Sequence, residues 1–358
     1  MKSLKNKIIA AFSASVMALS LTACGEDTAY IGNIGGMEVP AGIYLYHMTT
    51  VYSSAAMQKT EEQKTVWEVT VDGKTAEEYI ADEGLLRTKK FVAIEKKFDE
   101  LGLTLTEKEK TQISATAEDY YKQSESAMKS SGISLDSFTR IVMNDTKYSK
   151  LFDAYYDAET GIEPVKLSEI KSYLKENYAR IKVIEVSLKD LDGNLLKGAE
   201  KEKAINLAKE YQSKATGENF DELMYDNYNA LMKQHAEANG TEFTPIEYNP
   251  EDIEEYAMEQ IIDKDNSLLP ASVTEEIFAH KADGKAFLVE GSDAYYVVIR
   301  YNILDREGIE ETYKDTILKA LKSEEFAELE AKWAEELPIE WNEKAKERYA
   351  PKELKVAK

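Results

Sequence analysis

Few residues in this 358-residue chain have the types that chemistry needs. There is one Cys, Cys24, and there are three His: His47, His235 and His280. None of the His stands at a metal-ligand spacing, and no nucleophile motif accompanies them. His47 sits inside Tyr44-Leu45-Tyr46-His47-Met48, where packing is the expected role. Asp190-x-Asp192-Gly193-Asn194 gathers carboxylates as a calcium loop does. Its glycine is fourth rather than sixth, and no Glu closes the loop at the twelfth place, so a turn is expected. Gly32 to Gly36 lacks the Lys and Ser/Thr of a phosphate loop. The expectation is no metal and no cofactor.

The N-terminus explains the cysteine. Lys2, Lys5 and Lys7 precede an apolar stretch over residues 8–22, which ends in Leu21-Thr22-Ala23-Cys24. A basic start, a short apolar core and small residues before a cut make residues 1–23 a signal peptide. The stretch is too short for a comfortable membrane span. Leu-Thr-Ala-Cys resembles the lipobox of bacterial lipoprotein precursors. That resemblance implies a diacylglyceryl group on the Cys24 thiol and cleavage just before it. The mature chain is then extracytoplasmic and membrane-anchored, since two acyl chains suffice for stable anchoring. With its one thiol lipidated, disulfides, Cys-bound zinc and a Cys nucleophile all fall away.

Formal net charge is −22. Such an acidic chain is unsuited to nucleic acid or to lying on anionic lipid. The mature length can bury a sizeable core, as two domains. The 22 Tyr supply adaptable contact surface or half-buried core.

The elements follow from pattern. Tyr30 to Pro40 reads as a hairpin with a glycine turn, and residues 41–57 as a helix carrying Tyr44, Tyr46, Met48, Tyr52 and Met57. Phe91, Ile94, Phe98 and Leu101 share a helical face that Gly102 ends. Thr106 and Glu109 form a capping-box pattern. Gly132 and Ser134 mark another stop and start, and Ser168 is expected to cap a helix with Ile170 and Leu174. Near residue 179 the pattern changes. Ile181 to Leu188 reads as a strand, Asp192-Gly193 as a turn, and Ala204, Leu207, Ala208 and Tyr211 as one helix face. Phe287 to Val289 and Tyr295 to Ile299 form a closing hairpin around Gly291-Ser292-Asp293. A last helix over 306–337 carries Phe326, Leu329, Trp333 and Leu337, and Pro338 ends it.

This order resembles the PrsA/SurA-type extracytoplasmic foldases, which carry parvulin-type peptidyl-prolyl isomerase modules. Ala179 to Val186 is similar to the family's first strand, Ala-x-His-Ile-Leu-Val. Gly217 to Leu223 is similar to its Gly-x-x-Phe-x-x-Leu. Leu269-Pro270 through Phe278 and Gly284 is similar to its Val-Pro … Phe … Gly stretch, and Ala294 to Val298 to its closing Gly-Tyr-His-Ile-Ile. The resemblance implies an α+β fold: a mainly helical SurA-like chaperone domain with an inserted parvulin-like domain. Its boundaries would be 24–178 for the helical part, 179–303 for the parvulin-like module, 304–345 for a helix packing back on the N-terminal domain, and 346–358 for a tail.

The departures from the family bear on activity. The first family His position falls near Lys182 and the last on Tyr296, the Gly-Gly-Asp-Leu-Gly signature is missing, and the pocket Phe becomes Val273. Residues 226–266 do not align. Rotation about X-Pro faces a barrier near 20 kcal/mol, and lowering it needs placed polar groups in a dry pocket. No catalytic residue is expected. The expected function is a membrane-anchored chaperone or foldase-like lipoprotein that binds unfolded exported polypeptides, with Tyr44, Tyr46, Met48, Tyr52 and Met57 as candidate client contacts. Two other readings stay open: an active peptidyl-prolyl isomerase, and a non-catalytic scaffold or solute-binding lipoprotein.

Overall fold

The structure is a computed structural model that describes residues 28–265 and 267–356. The expected signal peptide and Cys24 lie outside the described residues. In chain order the elements are β1 (Tyr30–Ile34), β2 (Met37–Pro40), α1 (Ala41–Met57), β3 (Thr70–Val71), β4 (Lys74–Thr75), α2 (Ala76–Glu100), α3 (Glu107–Gln123), α4 (Glu125–Ser130), α5 (Leu135–Tyr156), α6 (Leu167–Asn177), β5 (Tyr178–Ser187), α7 (Gly198–Lys214), α8 (Phe220–Asn239), β6 (Gln260–Asp263), α9 (Ala271–Ala279), β7 (Ala286–Glu290), β8 (Ala294–Tyr301), α10 (Ile309–Glu335), β9 (Ile339–Trp341) and α11 (Glu343–Arg348). Helices with small antiparallel sheets make this an α+β protein.

The chain forms two compact units, one up to Leu151 and from Leu329 onward, the other Phe152–Glu328. These boundaries fall inside α5 and α10, not after residues 178 and 303 where the sequence pattern suggested them. An aromatic cluster accounts for the difference. Within the second unit, Phe326 meets Phe152 edge-on at 5.4 Å and Tyr156 at 6.0 Å. The Tyr156 hydroxyl donates to Glu325 Oε1 at 3.2 Å, and Lys314 pairs with Asp157 at 2.7 Å. The end of α5 is thus tied to α10, and residues 152–178 and 304–328 belong with the α+β unit.

In the first unit, β1 and β2 are joined by Gly35 and Gly36, with φ of +56° and +88°. Both turn residues need positive φ in the tight hairpin turn whose twist matches its strands. β9 pairs antiparallel with β1 on the other side, giving the order β2-β1-β9. Gly32 permits this approach, because a Cβ there would lie 2.5 Å from the Glu340 carbonyl oxygen. Capping boxes open α2 at Thr75/Glu78 and α3 at Thr106/Glu109. Helix α1 is apolar on most sides and is packed accordingly. Its Ile43, Tyr44, Leu45, Met48 and Val51 are buried with Ile31, Ile80, Val92 and Phe138.

The second unit has a four-stranded antiparallel sheet in the order β6-β5-β8-β7. Side chains alternate between faces along a strand. Ile184, Val186, Tyr295, Val297 and Ile299 pack with Ala208, Tyr211, Phe220 and Leu223 of α7 and α8. Ala179, Ile181, Tyr296 and Val298 face the other way, against Val273 and Ile277 of α9. Buried Arg300 closes α9: its Nη1 donates to the carbonyls of Ile277, Phe278 and His280 at 3.2, 2.7 and 2.7 Å. A cation suits these orphan carbonyls at the negative end of the helix dipole. Helix α6 is capped by Lys166, whose N–H donates to Glu169, rather than by Ser168. Strand β6 lies in the stretch where the sequence offered no alignment.

Candidate functional site

Lys182 and Tyr296 do not share a site, whereas Ile181, the third residue of Ala-x-His counted from Ala179, is fully buried on the same face as Tyr296. In the β5–β8 pairing Lys182 stands opposite Ile299, and Tyr296 stands opposite Glu185. Their parities put Lys182 on the α7/α8 face and Tyr296 on the α9 face. Lys182 Nζ pairs with both Asp221 carboxylate oxygens, at 2.6 and 2.8 Å. Its charge is therefore matched within the fold. Tyr296 is buried, and a Cβ on Gly291 would lie 2.9 Å from its ring. Burial first, then Glu185 and Asp293, push its hydroxyl pKa upward, so it stays protonated. Val273 is fully buried on the same face. Sequence spacing alone does not reveal this separation of faces, since it follows from the register.

The expected client contacts on α1 need correction. Tyr44 and Met48 are core residues, 5% and 0% exposed. Tyr44 meets the Trp341 ring edge-on at 6.0 Å, and burial pushes its pKa up to about 12. Met48 packs so close to Gly84 that a Cβ there would lie 2.5 Å from Met48 Cγ. Tyr46 and Tyr52 are half-buried against Phe138 and Trp67. Only Met57 stands clear, at 81% exposure. The apolar stripe was real, but the β1–β2 hairpin and α2 already cover it. His47, next to it, has its Nε2 buried without a hydrogen-bond partner. Burial and then Arg87 lower its pKa to about 4, so it is neutral.

The second unit holds an apolar groove of about 1190 Å³. One wall is α7, with Glu200, Lys203, Ala204 and Leu207. The other is α8, with Met224, Tyr228, Leu231 and His235. Each set follows helical spacing, so each helix turns a second stripe into the groove besides the one it gives the core. The rest of the lining includes Val183 to Ser187 of β5, Leu191 and Leu196 of the loop after it, and Ile246 and Met258. Leu191, Leu207, Tyr228, Leu231 and Ile246 are all exposed. Contiguous exposed apolar surface of this kind marks binding surfaces. The sequence pattern put Leu207 on one helix face with Ala204, Ala208 and Tyr211; Ala208 and Tyr211 are buried, while Leu207, 36% exposed, turns into the groove. The spacing of Met224, Tyr228 and Leu231 was the available signal for the α8 stripe.

Chemistry at this groove is sparse. Asp190 is engaged in its own turn, accepting the backbone N–H groups of Asp192 and Asn194 at 3.0 and 2.8 Å. These bonds hold its carboxyl below the usual carboxylate range. Lys189 is paired with Asp293. Among the described residues no cluster of His, Cys, Asp and Glu is arranged to hold a metal, and no helix is long and apolar enough to cross a membrane. The arrangement suits non-covalent binding of an apolar ligand.

No family model matches the chain, and no curated protein matches it. Among solved structures the chain is similar to the foldase protein PrsA from Streptococcus pneumoniae str. Canada MDR_19A, at 17% identity and a TM-score of 0.32, over 71% of this chain and 84% of that one. It is also similar to the foldase protein PrsA from Lactococcus lactis, at 13% identity and a TM-score of 0.34, over 89% of this chain and 97% of that one.

Proposed function

We propose that this protein is an extracytoplasmic, membrane-anchored lipoprotein of foldase type that holds unfolded exported polypeptides and does not isomerise proline. The observation that carries the reading is the wide apolar groove between α7 and α8. A side chain leaving water for such a groove contributes a few kcal/mol at most. Association and ordering costs are of similar size. Binding is therefore weak and reversible, which suits a protein that must release its clients. The Met and Tyr on α8 adapt to varied side chains. The helical first unit, with its β1–β2–β9 sheet, takes the part of the SurA-like domain, and the α+β unit that of the parvulin-like module. The anchor is a lipid on Cys24.

Absence of isomerase activity is supported by the side chains present: Ile181 and Tyr296 share a buried face but carry no imidazole, and Lys182 lies on the other face, paired with Asp221. A twisted amide would need convergent donors in one dry pocket, and of these three side chains only the Tyr296 hydroxyl is left to offer one there. The test is to dilute a denatured polypeptide into buffer with the purified protein, and to follow both light scattering and X-Pro isomerisation. The reading expects suppressed scattering without isomerisation. Unchanged scattering would refute it, and brisk isomerisation would favour an enzyme. For the anchor, labelled fatty acid should enter the wild type and not Cys24→Ser; equal labelling would refute lipidation there.

A further inference from the structure

The floor of the groove is an open sheet edge. β6 pairs with β5 only from Tyr178 to Ile181, whereas β8 pairs with it from Arg180 to Ser187. From Lys182 to Ser187, β5 therefore has no strand neighbour on its β6 side among the described residues. In an antiparallel strand the N–H and C=O of one residue point to the same side. The Glu185 carbonyl is met by Asn227 Nδ2 of α8 at 3.2 Å. Glu185 thus points its backbone away from β8, and Val183 and Ser187 do so by parity. Such an edge is a template for another strand. All three residues line the groove, whose walls carry Leu207, Tyr228 and Leu231.

Charge selects the occupant. Residues 242–259 contain Glu242, Glu247, Glu251, Asp252, Glu254, Glu255 and Glu259 and no Lys or Arg. This segment reaches the groove through Ile246 and Met258. Glu259 is spoken for by Arg180 and Arg306, which leaves six carboxylates and no cation on the segment that carries Ile246 and Met258 into the groove. Alternate side chains of an added strand point to opposite faces, so one set can enter the apolar walls while the other meets the acidic segment.

We propose that the second unit takes up an extended polypeptide segment as an extra strand on the Val183–Glu185–Ser187 edge of β5, and that the preferred segment alternates apolar with basic side chains. This rests on the reading of the groove as the client site and adds how the client is held. The side-chain amide of Asn227 stands in for a strand donor and gives way when the segment arrives. Backbone bonds supply sequence-independent affinity, and the walls and border supply preference.

The test uses the full-length protein and a fluorescent decapeptide of alternating Val and Lys. Two control peptides accompany it: one alternating Val and Glu, and the Val/Lys peptide N-methylated at four consecutive central residues, which removes donors from both of its edges. The Val/Lys peptide should bind, slow amide exchange at residues 183, 185 and 187, and lose at least about tenfold in affinity in each control. Leu231→Lys, a change at an exposed helix position, should weaken it similarly with an unaltered circular dichroism spectrum. Equal binding of the N-methylated peptide, or binding without exchange protection, overturns the added strand. Equal binding of the Val/Glu peptide overturns the charge preference. No peptide binding, with scattering still suppressed by the wild type and not by Leu231→Lys, overturns the strand while the groove remains the client site.

Discussion

Lys182 of β5 and Asp221 of α8 form an ion pair at 2.6 Å, with side chains only 12% and 19% exposed. Lys182 is thus a structural cation, held on the face that packs α7 and α8. Asp221→Asn removes the partner and leaves a largely covered ammonium, so it should cost roughly 2–4 kcal/mol. Urea unfolding measures this. The double change Lys182→Met with Asp221→Leu should recover most of the loss, because it removes both charges. A loss below about 0.5 kcal/mol in Asp221→Asn would mean the pair is solvated like a surface one.

Placing histidine at 182 and 296 should not create an isomerase. Lys182→His and Tyr296→His would place imidazoles on opposite faces of one sheet, with β5 and β8 between them. The double variant should turn over an X-Pro peptide no faster than the wild type in a protease-coupled assay. Activity in the double variant would show that the strands can present both rings to one pocket.

Much of the fold was legible because local chemistry specified it. Gly35-Gly36 forces the hairpin turn, Thr106 and Glu109 cap a helix, and Gly291-Ser292-Asp293 separates β7 from β8. What was not legible depended on long-range packing. The stripe on α1 looks the same whether α2 covers it or a client does, so Tyr44 and Met48 were assigned to a surface they do not reach. Ser168 offered a hydroxyl for a cap, but the helix begins one residue before it. The groove was missed for the converse reason. Met224, Tyr228 and Leu231 lie beside the Phe220 and Leu223 core face, and only the packed helix separates the two stripes. Strand β6 is short and borders an acidic segment, so it carried no strand signal until β5 paired with it.

His47 should make the protein acid-sensitive. Its folded pKa, about 4, lies below the ordinary value of 6.5, because burial and then Arg87 disfavour the charged ring. The unfolded chain then binds a proton between these values while the folded chain does not. The stability that His47 contributes is complete above pH 6.5 and is lost as pH falls toward 4. His47 as a whole residue is half-buried, so the loss is about 2 kcal/mol rather than the full shift. Carboxylates titrate in the same range, so the informative quantity is the difference between wild type and His47→Leu. Unfolding free energies from pH 7.5 to 4.5 should fall more steeply for the wild type. Parallel curves would show that His47 is not held neutral.

The central claim is that the groove between α7 and α8 holds unfolded polypeptide. Tyr228 and Leu231 are exposed, line the groove and lie outside the core clusters, so charging them should spare the fold. The most direct measurement is the protein concentration that halves light scattering from a diluted, denatured polypeptide, taken for the wild type and for Tyr228→Asp with Leu231→Asp. With circular dichroism and melting unchanged, the account predicts that the double variant needs about tenfold more protein or fails altogether. Equal suppression by the two proteins would contradict it and place client binding elsewhere on the molecule.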